Sequence, residues 1–423
     1  MYYLNEWKGL FRNWREDLLA GITVGVVALP LALGFAITTG APASTGLTTA
    51  VIAGFVAALF GGSNYQVSGP TGAMTVVLVP IVSKYGVASL TIIGAIAGIL
   101  ILLMATLRLG RFIDRIPFAV MEGFTLGIAL IIALQQMPLI LEIPKGQGTH
   151  TLDVALKTFS SALDSEFHWT AIFLALSTLV IKRKWIKVQN LLKIPFRIPG
   201  SIVAVFVMTL FSIIAQLDIQ RIEGLPRSIS LSTNFSRLDI PYIELFYAAF
   251  VVALLGAIES LLSARVADGM AHKVNGPEIE KHKPNRELVG QGLGTIASAC
   301  VGGLPATGAI ARTGVNVNSG AQSRLAAIFH SIFLLLVVLF FAPIVSYIPT
   351  SVLAGVLLGT SLRIASPQSI REALTTTFAE RITYISTAIS VLLIDLIWGI
   401  LIGLLVYLIA KIFESQKTKS CFI

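Results

Sequence analysis

Apolar residues fill this chain in long blocks, and short polar breaks separate the blocks. About fourteen runs approach the ~20-residue length that crosses a bilayer as a helix. They fall near 17–39, 46–62, 69–83, 88–107, 117–141, 168–182, 198–216, 242–267, 288–301, 307–319, 323–347, 350–363, 381–396 and 397–413. Several are short, and 382–413 is almost unbroken. The pattern predicts an all-α integral membrane protein.

One phrase interrupts the pattern twice. The first copy runs Gly61-Gly62-Ser63-Asn64-Tyr65-Gln66-Val67-Ser68-Gly69-Pro70-Thr71-Gly72-Ala73, and the second Gly302-Gly303-Leu304-Pro305-Ala306-Thr307-Gly308-Ala309. Thr71 and Thr307 are 236 positions apart. Small and helix-breaking residues at membrane depth imply non-helical backbone, which survives there only against protein or a watery cavity. The copies open spans 3 and 10, so each half holds seven spans. An odd number turns the second half upside down, giving a 7+7 inverted repeat. Spans 3 and 10 then become half-helices whose N-termini meet near the midplane. Their unpaired amides and positive dipole ends suit an anion. The candidate binding residues are Ser68, Thr71, Gly72, Ala73, Thr307, Gly308 and Ala309, with Thr75 as a further hydroxyl donor. Close helix packing through small residues would use the same composition.

Composition agrees with a membrane class. Hydrophobic residues make up 55% and charged residues 13%, against roughly 25% charged in soluble domains. Mean hydropathy is +0.83. The pI near 9.6 reflects cations in short loops and not a nucleic-acid partner. Arg108, Arg111 and Arg115 follow span 4; Lys182, Arg183, Lys184, Lys187, Lys193 and Arg197 follow span 6; Lys273, Lys281, Lys283 and Arg286 follow span 8. Lys411, Lys417 and Lys419 sit at the end. The odd loops 143–167 and 217–241 balance Lys145, Lys157, Arg221, Arg227 and Arg237 with acids. This bias places both termini in the cytoplasm of a multi-pass protein of the plasma or inner membrane. The opening residues read as an amphipathic lead-in and not a cleavable signal. Two cysteines, Cys300 and Cys421, give no disulfide framework.

Ionisable groups inside apolar runs mark function by default. Glu259 lies mid-span, with Ser263 one helical turn away; it would carry a proton or bind sodium. Arg312, one turn into the second half-helix, would add positive field at the anion site, or pair with Glu259 or Asp268. Glu122 and Asp395 fit interface groups. His330 fits a hydrogen-bonded packing residue. Pro30 bends span 1 and could bring Phe35 beside the site. There is no metal-ligand set apart from a sodium position near Glu259, no nucleotide-binding phosphate loop and no Ser/His/Asp arrangement. The residues therefore predict neither an enzyme nor a resident cofactor.

Several segments resemble the SulP (SLC26-like) family of anion transporters. They are Asp17 with the following Ala-Gly-Ile-Thr-Val-Gly, Leu29-Pro30, Ser68-Gly69-Pro70-Thr71, Gly256 to Ser263, Ala267-Asp268-Gly269-Met270, Asn285 to Gly292 and Ala309 to Thr313. The resemblance implies a core domain of spans 1–4 and 8–11 (residues 17–110 and 242–347) and a gate domain of spans 5–7 and 12–14 (111–241 and 348–413). A lead-in (1–16) and a cytoplasmic tail (414–423) flank them. It further implies elevator-type motion, a site among Phe35, Ser68, Thr71, Glu259, Ala309 and Arg312, and a homodimer as a possible assembly. Relatives usually continue into a STAS domain, whereas this chain stops about ten residues past the last span, as a truncated or short form would. Leu31 stands where many sulfate-type members have Gln. The expected function is coupled transport, with H⁺ or Na⁺, of sulfate, bicarbonate or a C4-dicarboxylate. A passive anion channel and a nucleobase carrier of the same architecture are the alternatives.

Overall fold

The computed structural model describes residues 10–113, 115–146, 148, 151–163, 168–194, 198–222, 225, 228, 240–275 and 279–420. Most of the lead-in, Arg197, Arg227, Arg237 and Cys421 lie outside them.

Each apolar run forms helix. In order these are α1 (Trp14–Thr39), α2 (Ala43–Phe60), α3 (Gly72–Tyr85), α4 (Ser89–Thr106) and α5 (Phe118–Gln135). An unexpected helix follows, α6 (Thr151–Leu163), and then α7 (Trp169–Leu191), α8 (Gly200–Ile214), α9 (Tyr242–Asn275) and α10 (Pro284–Cys300). The last group is α11 (Ile310–Asn318), α12 (Leu325–Leu336), α13 (Thr350–Ile364), a second unexpected helix α14 (Pro367–Leu374), α15 (Phe378–Leu393) and α16 (Leu396–Ser420). The unexpected pair escapes an apolar-run search because both helices are amphipathic: α6 leaves Leu156, Phe159 and Leu163 exposed on one face. Among the described residues, seven helices are long and apolar enough to cross a membrane. Large apolar side chains such as Ile99 and Leu103 on α4, and Phe206 and Ile214 on the shorter α8, are exposed, as a lipid solvent allows.

Local chemistry sets the ends. Glu16 and Asp17 occupy the first turn of α1, where acids complement the dipole, and Gly40 closes it at φ +88°. Thr377 and Glu380 form a capping box on α15. The long run 382–413 breaks at Asp395, whose carboxylate accepts from the Ile397 amide at the start of α16.

The chain divides into two compact units, residues 1–114 with 184–353 and residues 115–183 with 354–423. Segment 184–241, which the resemblance groups with 111–183, clusters with the first unit. In that unit α1, α2 and α12 pack together, α2 and α4 both pack on α10, and α9 packs on α4 and α11. In the second unit α5 and α16 pack on α15.

Only two short strands occur among the described residues, β1 (Ser68–Gly69) and β2 (Thr307–Gly308). They pair antiparallel, Ser68 opposite Gly308 and Gly69 opposite Thr307. The two copies of the repeated phrase thus meet directly. α3 starts three residues after β1 and α11 two residues after β2. At 14 and 9 residues they reach about 21 and 14 Å at ~1.5 Å per residue, short of a ~30 Å apolar layer.

The α4–α10 contact is close because both sides are small. A Cβ on Gly98 would sit 2.5 Å from Ile296 Cγ1 and 2.8 Å from the Gly292 carbonyl. Gly98→Val should therefore destabilise the first unit by roughly 1–3 kcal/mol, read as a lowered thermal midpoint of the detergent-purified protein, whereas Gly269→Ala, with open space around it, should leave that midpoint nearly unchanged.

Candidate functional site: two helix tips on one carboxylate

Thr71 precedes α3 in extended conformation and caps it, its hydroxyl accepting from the Met74 amide at 3.4 Å. The same hydroxyl donates to Glu259 Oε2 at 2.8 Å. From the other phrase, Thr307 Oγ1 donates to that same oxygen at 2.6 Å, and the two threonine oxygens are 3.0 Å apart. One carboxylate from the middle of α9 therefore ties both tips. Thr71 and Thr307 are buried, while Glu259 keeps partial exposure.

The amides at the two tips are not equivalent. Gly308 N donates to Ser260 Oγ at 3.0 Å and Ala309 N to the Val67 carbonyl at 2.9 Å. Both were expected to face an anion, and both are already engaged because β2 is anchored on α9 and β1. The first amides of that tip without an acceptor within the helix are those of Ile310 and Ala311, which open α11. At the other tip the amides of Gly72 and Ala73 open α3 and so have no acceptor within that helix.

Arg312 is buried on α11. Its Nη2 donates to the Pro70 carbonyl at 2.6 Å, so the second tip grips the first. Its Nη1 has no hydrogen-bond partner among the described residues. It makes no ion pair with Glu259, although the two interact electrostatically. Nor does it pair with Asp268, whose Oδ2 accepts from the His282 amide at 2.9 Å and lies 2.7 Å from His282 Nδ1. Gly69, at φ +155°, makes the Arg312 approach possible: a Cβ there would lie 2.6 Å from Nη1.

The remaining expected residues fall around this cluster. Ser68 Oγ accepts from Gln291 Nε2. Thr75 Oγ1 donates back to the Thr71 carbonyl at 3.0 Å. Ser263 shares a hydrogen bond with Thr313 at 3.1 Å and makes none with Glu259. Phe35 is buried on α1, five residues after Pro30, outside the hydrogen-bonded set. His330 is buried, yet neither ring nitrogen has a partner among the described residues; it packs close to Gly21 on α1 and Gly54 on α2.

The profile of the sulfate permease family matches residues 14–387. The chain belongs to that family. Within it, a candidate sulfate transporter of Bacillus subtilis (strain 168), YvdB, is 35% identical over 99% of this chain and 78% of its own length. The bicarbonate transporter BicA of Picosynechococcus is 31% identical over 97% of this chain and 72% of its own. The solved transmembrane domain of a cyanobacterial BicA superposes with a TM-score of 0.79, at 31% identity, covering 92% of this chain and 98% of that one. The structure of SLC26A9 gives the same TM-score at 15% identity, covering 94% of this chain and 65% of that one, and shares the fold. The sulfate permease assignment makes this a multi-pass membrane protein whose relatives are named for sulfate and bicarbonate transport.

One group was overlooked. Glu287, buried on α10, accepts from the Gly62 and Ser63 amides at 2.9 and 3.0 Å on Oε2 and from Gln66 and Gln291 at 2.8 and 3.0 Å on Oε1. It holds the loop that leads to Ser68. Its signal lay in Asn285 to Gly292, but a polar segment at a span's edge reads as loop. Glu287→Ala leaves four donors unpaired and should cost about 3 kcal/mol or more. Thermal unfolding checks this, with Glu287→Gln expected to cost less because it keeps an acceptor.

Proposed function

We propose that this protein is a secondary active transporter of a small inorganic or carboxylate anion, coupled to a cation at Glu259. The observation that carries the reading is the single Glu259 oxygen shared by Thr71 and Thr307. The anion is held by first-turn amides of the two tips, from Gly72 and Ala73 on one and from Ile310 and Ala311 on the other, with Arg312 adding field. Helix N-termini bind anions through such amides without needing a cluster of cationic side chains. Relatives named for sulfate and bicarbonate transport support an oxyanion.

Coupling follows from where the charge sits. An anionic Glu259 opposes a second negative charge beside the tips. A proton on its free oxygen, or sodium held by Glu259 with the Thr71 and Thr307 hydroxyls, removes that opposition. The cation and the anion then bind cooperatively, because each lowers the electrostatic cost of the other. Carboxylate and hydroxyl oxygens are the hard donors that a sodium ion takes. All these residues belong to the first unit. An elevator scheme therefore assigns that unit the carrier role and the second unit the gate role. The inverted-repeat reading, with α3 and α11 as half-helices and fourteen crossings, belongs to the same proposal, as do a plasma or inner-membrane location and cytoplasmic termini.

The test is uptake into liposomes of labelled sulfate, bicarbonate and fumarate, each with and without pH and sodium gradients. One of the three should accumulate against its gradient. Glu259→Gln should cut gradient-driven accumulation about tenfold or more, the equivalent of one charge-assisted hydrogen bond. Undiminished coupled uptake would remove Glu259 from the mechanism, and gradient-independent leak alone would make the protein a passive channel.

A further inference from the structure

The transport reading leaves α6 without a role. This helix (Thr151–Leu163) lies wholly in the second unit. It packs on α5, on residues 137–141 that continue α5, and on α15. With that continuation α5 is long and apolar enough to cross a membrane. α6 therefore sits beside the end of a spanning helix.

At about 100° per residue, the side chains of α6 fall into three sectors. The first faces protein: Ala155, Thr158 and Ala162 are buried. The second is apolar and open: Leu156, Phe159 and Leu163 are 67, 47 and 63% exposed, and Leu152, of intermediate exposure, joins them. The third is polar and open, with Asp153, Lys157, Ser160 and Ser161. A helix packed on protein in water needs only the first and third. A helix bathed in hydrocarbon has no use for the third. Three sectors match three surroundings: protein, lipid and water. The preceding loop crosses the edge between the polar and buried sectors. There the Gly146 amide donates to Thr158 Oγ1 at 2.9 Å, and a Cβ on Gly148 would lie 3.2 Å from Val154 Cγ2 and 3.3 Å from Asp153 Cβ. The apolar sector stays bare. At the start of α7 stands Trp169, 71% exposed, a residue type that gathers at membrane–water boundaries.

We propose that α6 is an interfacial helix that ties the second unit to the bilayer surface: Leu156, Phe159 and Leu163 enter the acyl region just inside the headgroups, and Asp153, Lys157, Ser160 and Ser161 stay in water. Helices with this division lie in the plane of the interface, their apolar side sunk about 5–10 Å. A second copy of the chain fits the patch less well. A stable protein interface buries roughly 800 Å² on each side, and three large side chains on one 13-residue helix fall short of that. The polar sector carries one acid, Asp153, and one base, Lys157. Attachment is therefore apolar and does not depend on lipid charge. The surface belongs to the second unit alone and does not rest on the transport reading.

The experiment uses the full chain with Cys300→Ser and Cys421→Ser, reconstituted in phosphatidylcholine vesicles. Single cysteines at Phe159→Cys, Leu163→Cys and Ser160→Cys are spin-labelled. Collision with oxygen, which concentrates in lipid, is compared with collision with a water-soluble nickel chelate. Labels at 159 and 163 should favour oxygen several-fold over the label at 160, which should favour nickel. Exchanging part of the phosphatidylcholine for phosphatidylglycerol, or raising the salt, should leave these readings unchanged. All three positions are exposed, so cysteine there keeps the fold, and Leu156→Cys gives a further reading on the apolar sector. Nickel access at 159 and 163 equal to that at 160 would put the sector in water and overturn the proposal. Shielding of 159 and 163 from both reagents would overturn it in favour of a protein partner such as a second copy. A reading at 159 that moves with salt or phosphatidylglycerol would overturn the apolar attachment.

Discussion

Backbone that leaves the helix inside a membrane must find its hydrogen bonds within the protein or in a watery cavity. This structure depends on how that demand is met around residues 61–73 and 302–309. The two-pair ladder of β1 and β2 satisfies the centre. The approaches are held by the opposite half of the chain in each case. Glu287 on α10 secures the first loop, while Thr49 on α2 secures the second by accepting from the Leu304 amide at 2.6 Å. Neither tip can be in place without the other half being folded.

The two halves solve one problem with unlike chemistry. A full carboxylate holds one loop and a hydroxyl holds the other. Only one tip carries a cation: at the constant separation of 236, Arg312 corresponds to Val76. The result is a site of nearly matched backbone but lopsided charge, which suits an asymmetric task such as binding a cation on one side and an anion on the other.

Much of this was legible in the sequence. The duplicated phrase pointed to non-helical backbone before α3 and α11, because a glycine pair followed by proline and Thr-Gly disfavours continuous helix, though not to the strands β1 and β2 that form there. Glu259 stood out because an acid in an apolar run is costly. What stayed hidden was pairing. Sequence spacing suggested Ser263 as the neighbour of Glu259, yet Thr71 and Thr307 take that oxygen from 188 and 48 residues away. Likewise Gly308 and Ala309 read as open donors, since no sequence pattern announces that Ser260 and Val67 accept from them. Glu287 was invisible for the opposite reason: a carboxylate among Asn, Arg and Gln looks solvated until the fold buries it. The amphipathic helices α6 and α14 escaped because a search for apolar runs is blind to one-sided faces.

The β ladder is only two residues long, and its register has a mechanical meaning. Any slip of a ladder by one residue changes every pairing in it. Here a slip of one would reverse which faces Ser68 and Thr307 present and would part the two threonine hydroxyls. The ladder thus works as a caliper with a single setting, and Glu259 is the gauge that reads it.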